Sequence, residues 1–188
     1  MSRDEAWLSR LKIEPLDRKK HDRAAFSCGE ERIDNFLKST AAKHADEDFT
    51  KVYVAVEPPS NKILGYYALC PHAIDIQSLP ESDRKRMPRY PTVSAIYLSM
   101  IATDKSVRKR GLGTFLMADV LKRCVEAANI IGGHFIVLDA LDDDAARLYR
   151  RIGFHDLPAP GQDRRMLMSL EKVRKTVAAL AAAMAQAK

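Results

Sequence analysis

The chain contains segments whose apolar residues recur at every second position and others in which they recur at every third or fourth. Residues 51–56 place a valine at every second position, and residues 63–69 resume a strand after a Pro-Pro-Ser-Asn turn, which predicts an antiparallel hairpin. Residues 93–103 are almost continuously apolar, which is typical of a central strand covered on both faces. Apolar runs at 135–138 and 166–170 predict two further strands.

The first segment whose apolar residues have helical spacing is residues 28–45. Ser27 and Glu30 precede this stripe with the spacing of a capping box, so a first helix is expected there. Residues 111–131 form the longest predicted helix, which ends at a glycine pair. The alanine-rich residues 171–188 are also good helix-forming sequence.

A third helix is predicted to open at Asp142 and to stop at Gly153. Its apolar face is expected to consist of Ala145, Leu148, Tyr149 and Ile152. The charged segment 80–89 ends at Pro88 and Pro91, which predicts a connector or a short helix rather than a long regular element. Pro158, Pro160 and Gly161 predict a break before the last strand.

Strands that precede, separate and follow these helices predict a mixed sheet of the α/β or α+β type. A chain of 188 residues that is 46% hydrophobic is long enough to bury a core and short enough to be one domain.

Charge, cysteine content and hydropathy narrow the class of protein. The formal charge of +6 favours an anionic partner, although a solvated basic surface is the more frequent explanation of so modest a charge. Three cysteines without C-x-x-C spacing suggest neither a disulfide framework nor a zinc site, and the five histidines also lack metal-ligand spacing. No signal peptide and no transmembrane run are visible, so a cytoplasmic protein with no metal and no membrane association is expected.

The candidate chemistry lies between the central strand and the longest helix, where the chain reads Arg-Lys-Arg-Gly-Leu-Gly at 108–113. Glycines let the backbone approach a ligand, and the first amides of a helix have no internal partners, so this turn is a candidate anion site suited to a pyrophosphate. The spacing fits neither a dinucleotide fold nor a P-loop. A basic turn that merely caps a helix is the alternative.

Two motifs in the chain resemble those of the GNAT acetyltransferases. RKRGLG matches their acyl-CoA signature R/Q-x-x-G-x-G/A, and ARLYRRIGF matches their L-Y-x-x-x-G-F segment. FSCGEERIDNFL, ILGYYAL and MPRYPTV look like segments of the GNAT-type toxins of bacterial toxin-antitoxin pairs. Together the matches span roughly residues 11–170.

The resemblance implies a GNAT fold, with a central mixed, mostly antiparallel sheet of six to seven strands and helices on both faces. It places the GNAT acetyltransferase domain at residues 1–170 and a C-terminal helical extension at 171–188. It also implies acetyl-CoA as the cofactor, held by residues of the loop, the central strand and the third helix. These cofactor-binding residues would be Ile101, Ala102, Thr103, Arg108, Lys109, Arg110, Gly111, Leu112, Gly113, Thr114 and Asp142.

Tyr149 would be the catalytic residue, because it matches the tyrosine of the family motif. An amine that attacks a thioester expels a thiolate, and a phenol with a pKa near 10 is able to protonate that thiolate. On its pattern alone Tyr149 is a core residue of an apolar helix face. No carboxylate or histidine in the sequence stands out as a base, which favours an α-amine acceptor over a lysine.

The toxin resemblance implies aminoacyl-tRNA as the acceptor and a block of peptide-bond formation. Candidate tRNA-binding residues are Arg84, Lys85, Arg86, Arg89, Arg150 and Arg151, to which Arg147, Arg164 and Arg165 add a wider basic rim. Two positions depart from the family pattern: Met100 stands where the toxins commonly have an arginine, and Asp142 where many GNAT enzymes have an asparagine.

Other acceptors and roles stay open at this point. The chain could acetylate a small amine or a protein N-terminus, or it could bind acyl-CoA without catalysis. As a toxin it would be expected to have a ribbon-helix-helix antitoxin, and the sequence leaves a homodimer open.

Overall fold

The structure, a computed structural model, describes residues 3–157 and 164–186. Its seven-stranded sheet has the order β1-β2-β3-β4-β5-β7-β6. The strands are β1 (Lys12–Pro15), β2 (Lys51–Val56), β3 (Gly65–Asp75), β4 (Thr92–Thr103), β5 (Phe135–Asp139), β6 (His155–Asp156) and β7 (Arg165–Ser169). β4 and β5 pair in parallel, whereas β1 with β2, β2 with β3, β5 with β7 and β6 with β7 pair antiparallel. The expected mostly antiparallel sheet of six to seven strands is therefore confirmed.

Seven α-helices accompany the sheet in the described residues. They are α1 (Arg3–Leu8), α2 (Glu31–Asn35), α3 (Ala41–Asp46), α4 (Glu81–Arg84), α5 (Leu112–Ile131), α6 (Asp143–Ile152) and α7 (Leu170–Gln186). A π-helical segment, Phe36–Thr40, joins α2 to α3. None of the helices in the described part of the chain has the length and apolar character needed to cross a membrane.

The chain divides into two compact units. The first unit consists of Met1–Cys70 and Ser99–Val120, and the second of Pro71–Leu98 and Leu121–Lys188, so β3, β4 and α5 each contribute to both. In the first unit, the helices around the π-helical segment pack on β2 and β3. The buried residues of this core are Phe26, Cys28, Ile33, Leu37, Ala41, Val52, Val54, Val56, Ile63, Tyr66 and Ala68.

The core of the second unit lies on its part of the sheet and on the segment that follows β3. Its buried residues are Ile74, Ile76, Leu79, Val93, Ala95, Phe135, Val137, Leu157 and Leu167. The first turns of α7 also belong to this unit, because Val173 is fully buried and Arg174 donates a hydrogen bond to the Asn129 side chain at 3.2 Å.

The first predicted helix differs from the observed one in its start and in its regularity. Ser27 is not a helix cap: its hydroxyl donates to the Asp34 carboxylate at 3.1 Å, and the Cys28 amide donates to the same carboxylate at 2.7 Å. The helix instead begins at Glu31, and no side chain caps it. Asp34 lies inside the helix, so the 27–29 segment is held back against the helix and cannot continue it.

The remaining predicted elements are confirmed within a few residues. The hairpin of β2 and β3, the central strand β4, the long helix α5 and the helix α6 that follows Asp142 all form. One predicted detail is wrong, because Leu148 is 45% exposed and the buried residue of α6 is Ala146. Helix α1 and strands β1 and β6 were not predicted, and the predicted break at Pro158, Pro160 and Gly161 lies outside the described residues.

A cluster of charged residues around the buried Glu14 holds β1. Glu14 is 7% exposed and contacts Lys12 at 2.6 Å, the Nε2 atom of buried His21 at 2.8 Å, and Lys20. The Asp17 amide donates to His21 Nδ1 at 2.9 Å, so the Nε2 atom carries the proton that His21 shares with Glu14. We call these four residues, Lys12, Glu14, Lys20 and His21, the Glu14 cluster. Hydrogen bonds from Lys12, Lys20 and His21 lower the pKa of Glu14 to about 2.

Candidate active site

The candidate anion loop follows directly from the end of β4 in the first unit. Asp104, which is 5% exposed, accepts hydrogen bonds from the amides of Ser27 and Ser106, both at 2.9 Å. Burial alone would raise the pKa of Asp104, but these hydrogen bonds and the Ser106 hydroxyl lower it below the ordinary value. Asp104 therefore stays ionised and fixes the start of the turn against the segment that precedes α2.

The two glycines of the loop serve different needs. Gly111 has a φ of +82°, a conformation that L side chains rarely adopt, and a Cβ there would lie 3.3 Å from Leu8. A Cβ on Gly113 would meet no atom within 4 Å, so space is open beside the first turn of α5. The first bond of the helix runs from the Phe115 amide to the Gly111 carbonyl at 3.1 Å, which leaves the preceding amides of that turn without i−4 partners. The backbone is thus arranged as an anion site requires.

Of the three cations in the loop, two are held by other parts of the first unit. The Arg108 guanidinium donates to the Cys28 carbonyl. The Arg110 guanidinium lies 3.8 Å from the centre of the Trp7 ring and 3.2 Å from the Asp4 carboxylate. Lys109, at a φ of +61°, has no ionic partner among the described residues. The loop therefore presents backbone amides and one lysine ammonium, whereas the two guanidinium groups brace its shape.

Helix α1 closes over this loop and was not predicted from the sequence. Trp7 is 3% exposed, and its indole N–H donates to the Glu57 carboxylate at 3.0 Å. Arg10 also donates to Glu57, at 2.8 Å. The signal in the sequence was the single tryptophan, a large apolar residue in an otherwise charged segment, which indicates a local packing site rather than a periodic face.

The C-terminal half of β4 leads into the loop through half-buried residues. Ile101, Ala102 and Thr103 are all of intermediate exposure. A Cβ on Gly65 would lie 3.1 Å from the Ala102 carbonyl and 2.9 Å from Leu116, so a glycine is needed for α5 to approach the sheet this closely. Met100 packs on the core of the first unit. An apolar residue at that position serves the packing, which accounts for a methionine where the toxins commonly have an arginine.

Tyr149 lies in the second unit, on α6. Asp142 is the N-cap of this helix and accepts a hydrogen bond from the Ala145 amide at 2.7 Å, and Gly153 ends it with a φ of +118°. The Tyr149 ring contacts the Phe154 ring edge-to-face at 6.0 Å. Burial and then the negative charge of Asp142 raise the pKa of Tyr149 to about 12.

The Tyr149 hydroxyl accepts or donates no hydrogen bond within the described residues. A half-buried side chain therefore carries a protonated hydroxyl without a partner in the described part of the chain. Tyr149 can therefore be both a core residue and a proton donor, because its ring packs on Phe154 while its hydroxyl has no partner among the described residues.

The predicted basic residues fall into a paired and an unpaired group, all in the second unit. Lys85 pairs with Glu81 at 2.8 Å, Arg86 with Glu171 at 3.9 Å, and Arg150 with Asp156 at 2.9 Å. The wider rim is neutralised as well, because Arg147, Arg164 and Arg165 pair with Asp144, Asp143 and Asp139. Arg84, Arg89 and Arg151 are exposed and have no carboxylate partner among the described residues.

One contact brings the two basic segments together. His155 Nε2, in β6 just after α6, lies 3.3 Å from the Asp83 carboxylate in α4. Arg84 is thus in a helix that contacts β6, and Arg151 lies four residues before His155 at the end of α6. The predicted basic residues at α4 and at the end of α6 therefore carry fewer unpaired charges than the sequence suggested.

A polar cluster at the end of β5 was missed by the sequence analysis. Asp139 accepts hydrogen bonds from the Tyr97 hydroxyl at 2.7 Å and from Arg165 at 2.8 and 3.0 Å. The His72 ring lies 5.4 Å from the Tyr97 ring. The available signal was an acidic residue placed directly after a buried strand, which the analysis did not use. No group of three or more His, Cys, Asp or Glu side chains in the described residues is arranged to hold a metal ion.

Comparisons with known proteins agree with this arrangement. Residues 48–156 match the family model described as an acetyltransferase (GNAT) domain. A protein of Sinorhizobium fredii named "Probable toxin TacT" is 37% identical over 169 residues, which cover 86% of this chain and 92% of that protein. A protein of Mycobacterium tuberculosis named "tRNA-acetylating toxin" is 32% identical over 137 residues, or 73% of this chain and 80% of that protein.

A solved structure is also similar over most of the chain. It is that of AtaT complexed with acetyl-methionyl-tRNAfMet, which superposes with a TM-score of 0.81 at 25% identity and covers 88% of this chain and 98% of that one. The matched family model, the toxin relatives and the glycine loop at the start of α5 lead to one conclusion: this chain belongs to the GNAT acetyltransferase family.

Proposed function

We propose that this protein is a toxin that transfers the acetyl group of acetyl-CoA to the α-amino group of aminoacyl-tRNA and so blocks translation. The observation that carries the proposal is the loop at the start of α5, where Gly113 leaves open space beside unpaired helix amides. The acceptor is inferred from the relatives, which are named as a tRNA-acetylating toxin and as a toxin in complex with an acetylated aminoacyl-tRNA.

The donor would bind mainly through the backbone of the loop. Amides from Arg108 to Thr114 would donate to the diphosphate, and the Lys109 ammonium would add the mobile positive charge. Ile101, Ala102 and Thr103 would run beside the pantetheine arm. Arg108, Arg110 and Leu112 would contribute by fixing the loop, because their side chains are engaged or buried within the first unit.

Tyr149 would act as the proton donor in the transfer step. The α-amine attacks the thioester carbonyl, so the C–N bond forms, the C–S bond breaks, and the electron pair leaves with sulfur. The nitrogen loses one proton as the amide forms, and the thiolate takes the phenolic proton of Tyr149, which solvent later replaces. Because the pKa of Tyr149 is raised to about 12, the phenol stays protonated throughout the physiological range. Asp142 would contribute indirectly, since it caps the helix that carries Tyr149.

The acceptor would be held by the basic surface around α4 and the end of α6. Arg84, Arg89 and Arg151 would contact phosphates directly, since no carboxylate in the described residues neutralises them. Lys85, Arg86 and Arg150 would bind after exchanging a surface carboxylate for a phosphate. Exposed ion pairs are worth about 0–1 kcal/mol, so this exchange costs little.

The test is incubation with labelled acetyl-CoA and a total tRNA pool, either charged or stripped of amino acids. The proposal expects label on charged tRNA only. It expects the Tyr149→Phe variant to lose about 100-fold or more in kcat, in line with the contribution of general acid catalysis. Calorimetry should find that the same variant binds CoA as the parent does, because the loop lies outside α6.

Other outcomes would assign the chain differently. Label on small amines in the absence of RNA would identify a small-amine or N-terminal acetyltransferase. CoA binding without transfer to any amine would leave an acyl-CoA-binding module. Full activity of the Tyr149→Phe variant would remove Tyr149 as the proton donor, whatever the acceptor.

The partner and the domain boundary extend the same proposal. An antitoxin with a ribbon-helix-helix DNA-binding domain would neutralise the enzyme, and a homodimer would be its assembly state. Residues 1–170 would form the acetyltransferase domain and 171–188 a helical extension, although the buried Val173 shows that α7 starts inside the core. Co-purification with the product of the neighbouring gene and the mass of the purified protein test these points.

A further inference from the structure

Four side chains from four strands of the second unit meet at the end of β5. His72 comes from β3, Tyr97 from β4, Asp139 from β5 and Arg165 from β7. Arg165 binds the Asp139 carboxylate through two nitrogens, Tyr97 donates its hydroxyl to that carboxylate, and the His72 ring lies against Tyr97. The Arg165 guanidinium also lies 5.6 Å from the Tyr97 ring. We call these residues the β5-end cluster.

Three members of the cluster are locked in one protonation state. Hydrogen bonds from Arg165 and Tyr97 outweigh burial and hold the pKa of Asp139 below its usual value. The Asp139 carboxylate in turn raises the pKa of Arg165, against the effect of burial. Burial and the neighbouring Asp139 raise the pKa of Tyr97 to about 12. None of these groups is able to gain or lose a proton near neutral pH.

His72 differs from the others in this respect. Burial and then the positive charge of Arg165 lower its pKa below 6.5, while Asp139 opposes the shift. The imidazole is therefore neutral at pH 7 and offers a basic nitrogen. No described residue donates a hydrogen bond to that nitrogen, and the ring is only half-buried, so a substrate group has access to it.

The cluster lies close to the proposed proton donor. Asp139 precedes Asp142 by three residues, so their Cα atoms are at most about 11 Å apart. The charge of Asp142 in turn acts on the Tyr149 hydroxyl strongly enough to help raise its pKa. The basic nitrogen of His72 therefore belongs to a cluster at the end of β5, and the Tyr149 phenol is on the helix α6 that follows this strand.

We infer that His72 is a second catalytic residue, the proton acceptor for the attacking amine, and that Tyr97, itself held by Asp139 and Arg165, positions its ring. The inference rests on the proposed transfer to an amine. The proton that the nitrogen of the acceptor loses as the C–N bond forms passes to the imidazole. The proton that the departing sulfur gains comes from Tyr149, so the two residues are restored by exchange with solvent.

The first test compares kinetics of the parent with those of His72→Gln. Since an α-amine on an ester is already partly neutral at pH 7, the expected loss in kcat is about 10- to 100-fold, at the lower end of general base catalysis. KM for acetyl-CoA should stay unchanged. The acid limb of the kcat profile should lie below pH 6.5 in the parent and move up toward the pKa of the amine in the variant.

Chemical rescue separates proton transfer from a packing role. Imidazole added to His72→Ala should restore activity, whereas pyrazole, which has the same shape and is a far weaker base, should not. His134→Gln serves as the matched control, because His134 is an exposed histidine of the same unit, and it should behave like the parent. Equal rescue by both compounds, or an unshifted acid limb, would overturn the role of His72.

The outcome also separates this inference from the proposed function. If the parent fails to acetylate any charged tRNA, the acceptor assignment fails first and the role of His72 falls with it. If the parent acetylates charged tRNA and His72→Gln does so at an unchanged rate, the function stands and only the base is wrong.

Discussion

The sharpest prediction concerns Gly113, where stability and cofactor affinity should change in opposite directions. The residue occupies the second position of α5, and an added Cβ would meet no atom within 4 Å. Replacing a helical glycine by alanine is worth about 0.5–1 kcal/mol. For a protein of this length that gain raises Tm by about 1–4 °C. Gly113→Ala is therefore expected to be at least as stable as the parent.

The same methyl group would occupy the space that the proposed diphosphate needs. Loss of one hydrogen bond from a backbone amide to a charged oxygen costs about 1.5–3 kcal/mol, which corresponds to about a 10- to 100-fold weaker Kd. Calorimetric titration with CoA measures the affinity, and differential scanning calorimetry measures Tm. A variant that binds CoA as tightly as the parent would place the diphosphate elsewhere and refute the loop as its site.

Gly111→Ala provides the matched control for this argument. A left-handed alanine costs about 1–2 kcal/mol, and reduced freedom of the unfolded chain offsets about 0.4–1 kcal/mol of that cost. The Cβ would also press on Leu8 at 3.3 Å. A fall in Tm of about 2–4 °C per kcal/mol lost is expected. Both variants would weaken CoA binding, but only this one should also lower Tm.

Three further predictions address charge. Folding lowers the pKa of Glu14 from 4.5 to about 2, so the parent gains a stabilisation above pH 4.5 that it loses as the pH falls toward about 2. Glu14→Gln should remove this stabilisation in acid-unfolding curves. Solvent screening of the two lysines limits the effect to about 1–2 kcal/mol. Arg151→Gln should weaken tRNA binding and reduce the slope of log K against log salt by about 1, whereas Arg150→Gln, whose arginine already pairs with a carboxylate, should change that slope less. Asp104→Asn should destabilise the protein by about 1–3 kcal/mol in urea titrations, because the new amide NH2 group would face a backbone N–H donor. An unchanged urea midpoint of unfolding would show that this carboxylate does not hold the turn.

The elements that the sequence predicted correctly are those with a strong local signal. The valines of β2, the apolar run of β4 and the glycines after α5 each determine their element within a short window. The π-helical segment and the late start of α2 were not predictable in this way. The late start of α2 depends on Asp34, whose carboxylate binds the chain before the helix and so competes with a regular cap.

At the candidate site, the sequence predicted the loop and Tyr149 but not their electrostatics. Local pattern counted every basic residue as available, yet Arg108 and Arg110 bind groups that are remote in sequence. The β5-end cluster was missed for the same reason, since its members come from four strands. The tertiary fold decides which charged residues pair with each other. A short segment of sequence does not show these pairs, because the partners are far apart along the chain.

Helix α1 also has a consequence for the order in which the protein is made. A helix of six residues is unstable alone, so it can persist only once its docking surface exists. Asp4 reaches Arg110 across 106 positions, and Trp7 reaches Glu57 across 50. During synthesis the first segment must therefore wait, with its indole exposed, until more than half of the chain has left the ribosome. An enzyme proposed to block translation thus completes its cofactor-binding loop late in its own synthesis.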